Sequence, residues 1–411
     1  MKNLLLIPLS YPYEIGKEST FLENEISYYT SAFLSSTILP SICSGNKTNI
    51  NETITIDCAL SAYNKQKIKP HLLLANFFYK PSLLLKELIW LIKNKPNIKN
   101  FIKAIKEYLL IISYIKFFEQ YNIPKNPIII YTYWFTPITT AACLFAKNKK
   151  NTQVVSRAHG IDLFEERNKN YIPYRQMTIN LLKKIIVVSE NGKNYLINNY
   201  HIEQSKISVN PIGINDLNIT AKKSNTGNFN IVSCSSIDEN KRLHLIIEAL
   251  NQFAQSHKNI KITWNHFGDG ILKDEILRLY QTTLKDKVQV IFHGQVSNIE
   301  IINFYKLNPV DVFITTSASE GGRPVSINEA ICCSIPIIGT SIGGIPELVN
   351  ESNGILLKEY PSAIEISNAL YRFLPDNSDL ESLKENSRKT WQAKCDATKT
   401  FPEFINLLQT L

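Results

Sequence analysis

No stretch of this 411-residue chain stays apolar for the roughly 18 residues a membrane-spanning helix needs, so none is expected. Residues 71–92 come nearest, and Lys80, Lys86 and Glu87 interrupt them. The opening MKNLLLIPLS has too short an apolar run for a signal peptide and no small-residue cleavage site, and it reads as a first strand. Among the seven cysteines (Cys43, Cys58, Cys143, Cys234, Cys332, Cys333, Cys395) there is no Cys-x-x-Cys pair. An odd, scattered set suits reduced thiols in a reducing compartment, not a disulfide or zinc framework. No Gly-x-Gly-x-x-Gly follows the first strand, which argues against a Rossmann dehydrogenase. There is no short-period repeat and no low-complexity segment.

What is present is ordinary globular composition, 44% hydrophobic and 20% charged, with enough length for two domains. The net charge of +9 is unevenly placed. Residues 65–125 hold twelve Lys, no Arg and three Glu, so the entire excess lies there. The same region is rich in Leu, Ile, Phe and Tyr. Two readings stand side by side: basic amphipathic helices resting on an anionic membrane surface, and a solvated lysine face on helices whose other side is core. The first would make a cytoplasmic protein peripheral on the inner membrane face. Nucleic acid is not an expected partner, since the patch lacks Arg and no recognised binding motif occurs.

Along the chain, strands are predicted at 4–8, 36–42, 127–133, 153–157 and 184–188, with helices at 20–29, 81–93, 98–119, 137–146 and from 192 to 200. Residues 216–228, DLNITAKKSNTGN, are polar and read as a domain linker. Beyond them, strands are predicted at 230–234, 261–266, 287–292, 311–315, 335–339 and 354–357, the clearest helices being 242–253 and 271–284. Apolar strands alternating with amphipathic helices predict parallel sheets covered on both faces. The fold class is therefore α/β: two Rossmann-like doubly wound domains facing across a cleft. The expected boundaries are an N-terminal domain over 1–215, the linker 216–228, a second domain over 229–390, and a C-terminal helix over 391–411 packing back on the N-terminal domain.

The most informative stretch is Asp311 to Glu347, DVFITTSASEGGRPVSINEAICCSIPIIGTSIGGIPE. A strand runs into a loop carrying Glu320, Gly321 and Gly322. Pro324 then suits the start of a helix bearing Ser326 and Glu329. A Gly-bearing loop leading into a helix turns backbone N–H groups toward an anion, and two carboxylates flank it. Phosphate on one side and hydroxyl-binding acids around it point to a sugar nucleotide. Ligands of such sheets sit at the carboxyl ends of strands. The second-half strands end in Ser235-Ser236, Gly268-Asp269-Gly270, Gly294-Gln295, Ser317 to Gly322 and Gly343-Gly344. The first-half ends carry Gly16, Tyr133-Trp134, His159-Gly160 and Ser189-Glu190.

These residues resemble the retaining glycosyltransferases of the GT-B fold, the large family-four group, including members of bacterial surface-polysaccharide assembly. Five stretches carry the likeness: STFLENEI at 19–26, SRAHGIDLFEER at 156–167, IVSCSSIDENKRLHLIIEAL at 231–250, ITWNHFGDG at 262–270, and SEGGRPVSINEA at 319–330 with IPIIGTSIGGIPE at 335–347. The resemblance implies a nucleoside-diphosphate sugar donor held mainly by the second domain, retention at the anomeric carbon, no cofactor and no essential metal. The absence of Asp-x-Asp agrees with the last. It implies that Glu329 accepts from the ribose hydroxyls, that Glu320 touches the donor sugar, and that His159 lies near that sugar as a hydrogen-bonding and charge-stabilising group. Lys241 matches the family's diphosphate lysine. Gly268, Gly270, Gly321, Gly322 and Ser326 belong to the donor loops; Gly16 and Thr20 fall on the acceptor side.

Two departures stand out. Eight residues separate Glu320 from Glu329 where the family usually has seven, which puts Gly321 at the family's acid position. The usual diphosphate Arg falls on Ser236, leaving Arg242 and Arg323 as candidates for the missing guanidinium. The expected acceptor is a saccharide, lipid-linked, in capsule, O-antigen or exopolysaccharide assembly. The alternative is a non-catalytic GT-B sugar-nucleotide-binding or scaffold protein, favoured by those same two departures. A third class is another sugar-nucleotide enzyme such as an epimerase.

Overall fold

The computed structural model describes residues 2–13, 18–66, 77, 79–123 and 127–411. It divides into two compact units, one of Met1–Asn210 with Phe401–Leu411, the other of Pro211–Thr400. The first holds a seven-stranded sheet built from β1 (Asn3–Ile7), β2 (Ser36–Ile38), β3 (Ile54–Ile56), β4 (Ile128–Thr132), β5 (Thr152–Ala158), β6 (Lys184–Val187) and β7 (Ile207–Val209). Their spatial order is β3-β2-β1-β4-β5-β6-β7, and every pairing is parallel. The second unit holds β8 (Asn228–Cys234), β9 (Lys261–Phe267), β10 (Gln289–Gly294), β11 (Val312–Thr315), β12 (Ile337–Thr340) and β13 (Gly354–Leu357), ordered β10-β9-β8-β11-β12-β13 and again all parallel.

The central strands of both sheets are apolar on both sides, because successive side chains alternate faces and both faces are covered there. Leu5, Ile7, Ile128 and Ile130 enter one core cluster, and Leu4, Leu6, Ile129 and Tyr131 enter another. In the second unit Ile231, Val312 and Ile338 face one cluster while Val232, Phe313 and Ile337 face the other. The second of the first unit's clusters is completed by Phe404, Ile405 and Leu408 from the helix Ala397–Thr410. In each sheet the strand order reverses beside the first strand, at β1/β4 and at β8/β11. Such a switch point leaves a crevice at the carboxyl edge.

Three expectations change. β3 and β7 were not anticipated; each is a three-residue edge strand with only one residue fully buried, too short to show periodicity. The chain crosses between units at Asn210–Pro211, and the stretch 216–228 is part of the second unit, not a free linker. Its Leu217, Ile219 and Ala221 alternate into that unit's core, and Ser224 donates to Asp311 through both its amide and its hydroxyl. The segment 391–411 is the end of one helix, Leu380–Lys394, and a second, Ala397–Thr410.

Candidate active site

In the second unit the loops after β8, β9, β11 and β12 touch one another. Gly268 takes a φ of 135°, and a Cβ there would stand 1.8 Å from the carbonyl oxygen of Ser235. At Gly270 a Cβ would come within 2.3 Å of the Ile237 carbonyl oxygen. These glycines let one loop backbone lie on the next. Gly343 does the same for Gly321 and Gly322: its φ is 52°, a Cβ would meet the Glu320 carbonyl oxygen at 2.1 Å, and the Gly344 amide donates to the Gly322 carbonyl at 3.1 Å.

That packing fixes the charged groups. Asp238 accepts from the Ser236 hydroxyl at 2.6 Å and from the Lys241 amide at 3.1 Å, forming a turn after β8. The Lys241 ammonium then pairs with the Glu320 carboxylate. The extra loop residue between Glu320 and Glu329 therefore still leaves Glu320 beside Lys241. Ser326 lies in the first turn of the helix Val325–Cys332, whose leading amides have no partner inside the helix. One turn further in, Glu329 is buried and accepts a hydrogen bond from the Asn298 amide nitrogen at 2.5 Å. Burial pushes its carboxyl up to about 7, and that hydrogen bond opposes the shift.

The two candidate replacements for the diphosphate guanidinium are engaged elsewhere. Arg242 is 9% exposed and donates to the backbone carbonyls of Thr316, Ser317 and Glu359 at 2.6–2.9 Å. It is a brace for the loop after β11. Its left-handed φ of 50° at the helix start turns the side chain inward. Arg323 donates to Glu347 at 2.9 Å and to the Lys394 carbonyl at 3.0 Å. Lys241 is thus the cation of this set that faces the Glu320 carboxylate.

In the first unit His159 directly follows β5. Its ring lies against Trp134 and Tyr133, with centroids 4.5 and 4.9 Å away. Nε2 is 3.2 Å from the Tyr133 carbonyl oxygen, which can only accept, so Nε2 carries the proton and Nδ1 keeps its lone pair. Burial, then the nearby Arg157 charge, lower its pKa to about 3. The ring is neutral, which leaves hydrogen bonding and removes charge stabilisation by an imidazolium from its expected role. Asp162 ties the loops after β4 and β5 by accepting from the amides of His159 and Phe135 at 2.6 and 2.7 Å. Glu18 gathers the amides of Leu9, Ser10 and Tyr11 at 2.5–2.9 Å and also accepts from the Trp134 indole. Thr20 sits in the first turn of the helix Ser19–Ile26, and Gly16 lies outside the described residues. Glu25 is fully buried on Arg157 at 2.5 Å and is structural.

Two contributors escaped the sequence. Asn298 reaches Glu329 from 31 positions away, and nothing in its own neighbourhood marks it. Asp238 does lie just past a strand end, which was the available signal.

Two doubly wound parallel units with these strand-end loops define a GT-B architecture. Residues 215–390 match the family described as Glycosyl transferases group 1, and residues 82–216 match Glycosyltransferase Family 4. The chain is a glycosyltransferase of the GT-B type. It is 25% identical over 308 residues to an uncharacterized glycosyltransferase of Methanocaldococcus jannaschii, MJ1178, covering 73% of this chain and 79% of that one. It is 24% identical over 282 residues to WcaL of Escherichia coli, described as a putative colanic acid biosynthesis glycosyltransferase, covering 66% and 68%. In fold it is similar to Anabaena HepE, whose crystal structure was solved in complex with UDP-glucose, with a TM-score of 0.64, 16% identity and full coverage of both chains.

Proposed function

We propose that the protein moves a sugar from a nucleoside-diphosphate sugar to a saccharide acceptor, lipid-linked, with retention at the anomeric carbon and without a metal, in the assembly of a surface polysaccharide. The observation that carries this is the Lys241–Glu320 ion pair between the loops after β8 and β11, the latter leading into the helix bearing Ser326 and buried Glu329. Glu329 suits the ribose hydroxyls, which would replace the Asn298 hydrogen bond as donors. The diphosphate suits the Lys241 ammonium and the helix amides, preorganised where negative charge develops on departure. Glu320 then turns from Lys241 to the sugar hydroxyls. The bond from the anomeric carbon to phosphate breaks, and the acceptor oxygen bonds on the face just vacated. The acceptor proton passes to the departing phosphate oxygen, so no protein nucleophile is required. His159 lies near the donor sugar on this reading, its side chain already accepting from the Asp162 amide.

Support for a polysaccharide role comes from the description of WcaL, and for a uridine nucleotide from the HepE complex. Support for a lipid-linked acceptor comes from the helices Pro81–Asn94 and Ile98–Gln120, where Leu85, Ile89, Ile92, Ile98 and Ile102 are exposed beside Lys86, Lys93, Lys99 and Lys106. No helix among the described residues is long and apolar enough to cross a membrane, so contact would be at the surface. The test is a panel of UDP-, GDP- and ADP-sugars, scored for binding, for slow donor hydrolysis and for the anomer released. Retained product with one donor class, undiminished by a chelator, is expected. No binding at millimolar donor, or an inverted anomer, would sink the reading.

A further inference from the structure

Two thiols and a phenol outside the loops described above meet in the first unit. Cys43 lies beyond β2, and Cys58 stands between β3 and the helix Ala59–Gln66. The Cys58 carbonyl accepts from the Ala62 amide at 2.9 Å, so Cys58 opens the first turn of that helix. Ser61, in the same turn, accepts from the Cys43 amide at 2.8 Å and holds the Cys43 backbone beside it. Asn64, further along, donates to the Ser41 carbonyl at 2.9 Å and fixes the approach to Cys43. Cys58 Sγ is 3.2 Å from the Tyr13 hydroxyl, and the Cys43 thiol hydrogen-bonds with both groups. Both cysteines are free and half-buried, whereas Cys143, the first unit's other cysteine, is buried.

Two thiols in mutual contact, within reach of solvent, can do what neither does alone. In a reducing compartment such a pair rests as thiols and closes when a small disulfide reaches it. The Cys58 sulfur, its proton lost to water, attacks one sulfur of that disulfide. A mixed disulfide forms on Cys58 and the first small thiolate leaves. Cys43 then loses its proton to water and attacks the Cys58 sulfur, forming the Cys43–Cys58 bond and expelling the second small thiolate. Two protein thiols have given up two electrons, one small disulfide has become two thiols, and the two protons end on the released sulfurs. Burial, and then the hydrogen bond to Cys58, push the pKa of the Cys43 thiol up. That makes Cys43 the second attacker, and a poor leaving group when the bond is later reduced. The ring that closes spans residues 43–58 and contains β3, the three-residue edge strand. It already leans on the loop after β1, where Lys47 bridges to Tyr13 and the Thr48 amide donates to the Pro12 carbonyl at 2.9 Å.

We propose that Cys43 and Cys58 are a modification site, a dithiol that exchanges with small-molecule disulfides and closes into an internal bond that ties down the edge strand β3. The experiment adds oxidised glutathione to the full native chain at pH 8 and follows intact mass, peptide maps and amide exchange. The wild type should lose two hydrogens at this pair, keep no glutathione there, and yield one linked peptide pair joining Cys43 to Cys58. Cys43→Ser should instead keep one glutathione on Cys58. Phenylarsine oxide, which needs two neighbouring thiols, should bind the wild type at one equivalent, and either serine variant at least about tenfold more weakly. Amide exchange at residues 54–56 should slow by at least about tenfold once the bond is closed. The mass and arsenical readings on the wild type stand without any variant. A stable glutathione adduct on wild-type Cys58, a link from either cysteine to Cys143, or equal arsenical binding by Cys43→Ser overturns the proposal. Unchanged exchange at 54–56 around a closed bond overturns the claim that the bond ties down β3.

Discussion

Lys241, at the end of the turn after β8, forms an ion pair with Glu320 in the loop after β11, both side chains less than one-fifth exposed. On the proposed reading these two groups have opposite tasks toward a glycosyl diphosphate, and the donor would part them. Lys241→Ala should therefore weaken nucleoside-diphosphate affinity by about tenfold, the scale of a charge-assisted hydrogen bond. Glu320→Gln should leave that affinity equal or higher, since it releases Lys241, while turnover falls. Calorimetry with the nucleotide alongside initial rates distinguishes the two. Loss of nucleotide binding in Glu320→Gln would contradict the assignment.

Gly343 and Gly227 both have positive φ, 52° and 83°, but only Gly343 has backbone where a Cβ would go. Alanine at Gly227 should cost about 1 kcal/mol of strain. Alanine at Gly343 should cost at least about 2 kcal/mol more, because the loop bearing Glu320 must move. Thermal unfolding should show a drop of roughly 5 °C or more for Gly343→Ala relative to Gly227→Ala. Equal melting temperatures would mean that the two loops do not lock together.

Glu329 is a carboxyl whose folded pKa, about 7, lies above the unfolded value of 4.5. The folded chain then binds the proton more tightly, so this contribution to stability is full below pH 4.5 and is lost as pH rises through about 7. Its span is on the order of 3 kcal/mol. Glu329→Gln should flatten that part of the stability profile and be the more stable protein at pH 8. Donor binding should show the opposite slope. Ribose hydroxyls favour the ionised carboxylate, so wild-type affinity should climb through pH 7 and the variant's should not. Denaturant melts and calorimetry at pH 5, 6, 7 and 8 measure both.

His159 is held neutral by burial and by Arg157, with a pKa of about 3. Its imidazole carbon signals should stay at their neutral positions from pH 5 to 8 in an NMR titration. His159→Ala should reduce turnover by about a hundredfold, near the lower end for a positioned proton-handling or hydrogen-bonding group, and change nucleotide affinity little. Equal losses in both would show instead that the ring only supports the loop.

The element pattern was largely legible. Runs such as IIIYT at 128–132 and VFIT at 312–315 are apolar without alternation, which is what strands buried on both faces require. The helices Pro81–Asn94 and Ile98–Gln120 lie within one residue of their expected ends, because Pro81 and the Asn97 cap mark the starts in the sequence itself. The polar look of 216–228 misled, since three apolar residues on alternate positions are enough to seat a strand-like segment against an existing core. At the site, the glycines and Glu320 of the loop before Val325, and Glu329 beyond it, were visible as types and spacings.

By itself, then, the amino-acid order determined the doubly wound architecture and which loops lie at strand ends, since both follow from short-range periodicity and turn chemistry. The tertiary structure decided which charges are spent on the protein itself. Arg242 is committed to a carbonyl 74 positions away, Arg157 to a carboxylate 132 positions away, and Lys241 to Glu320 across 79. Such partnerships are set by distance through space and by burial, and neither is written in the spacing of residues along a chain.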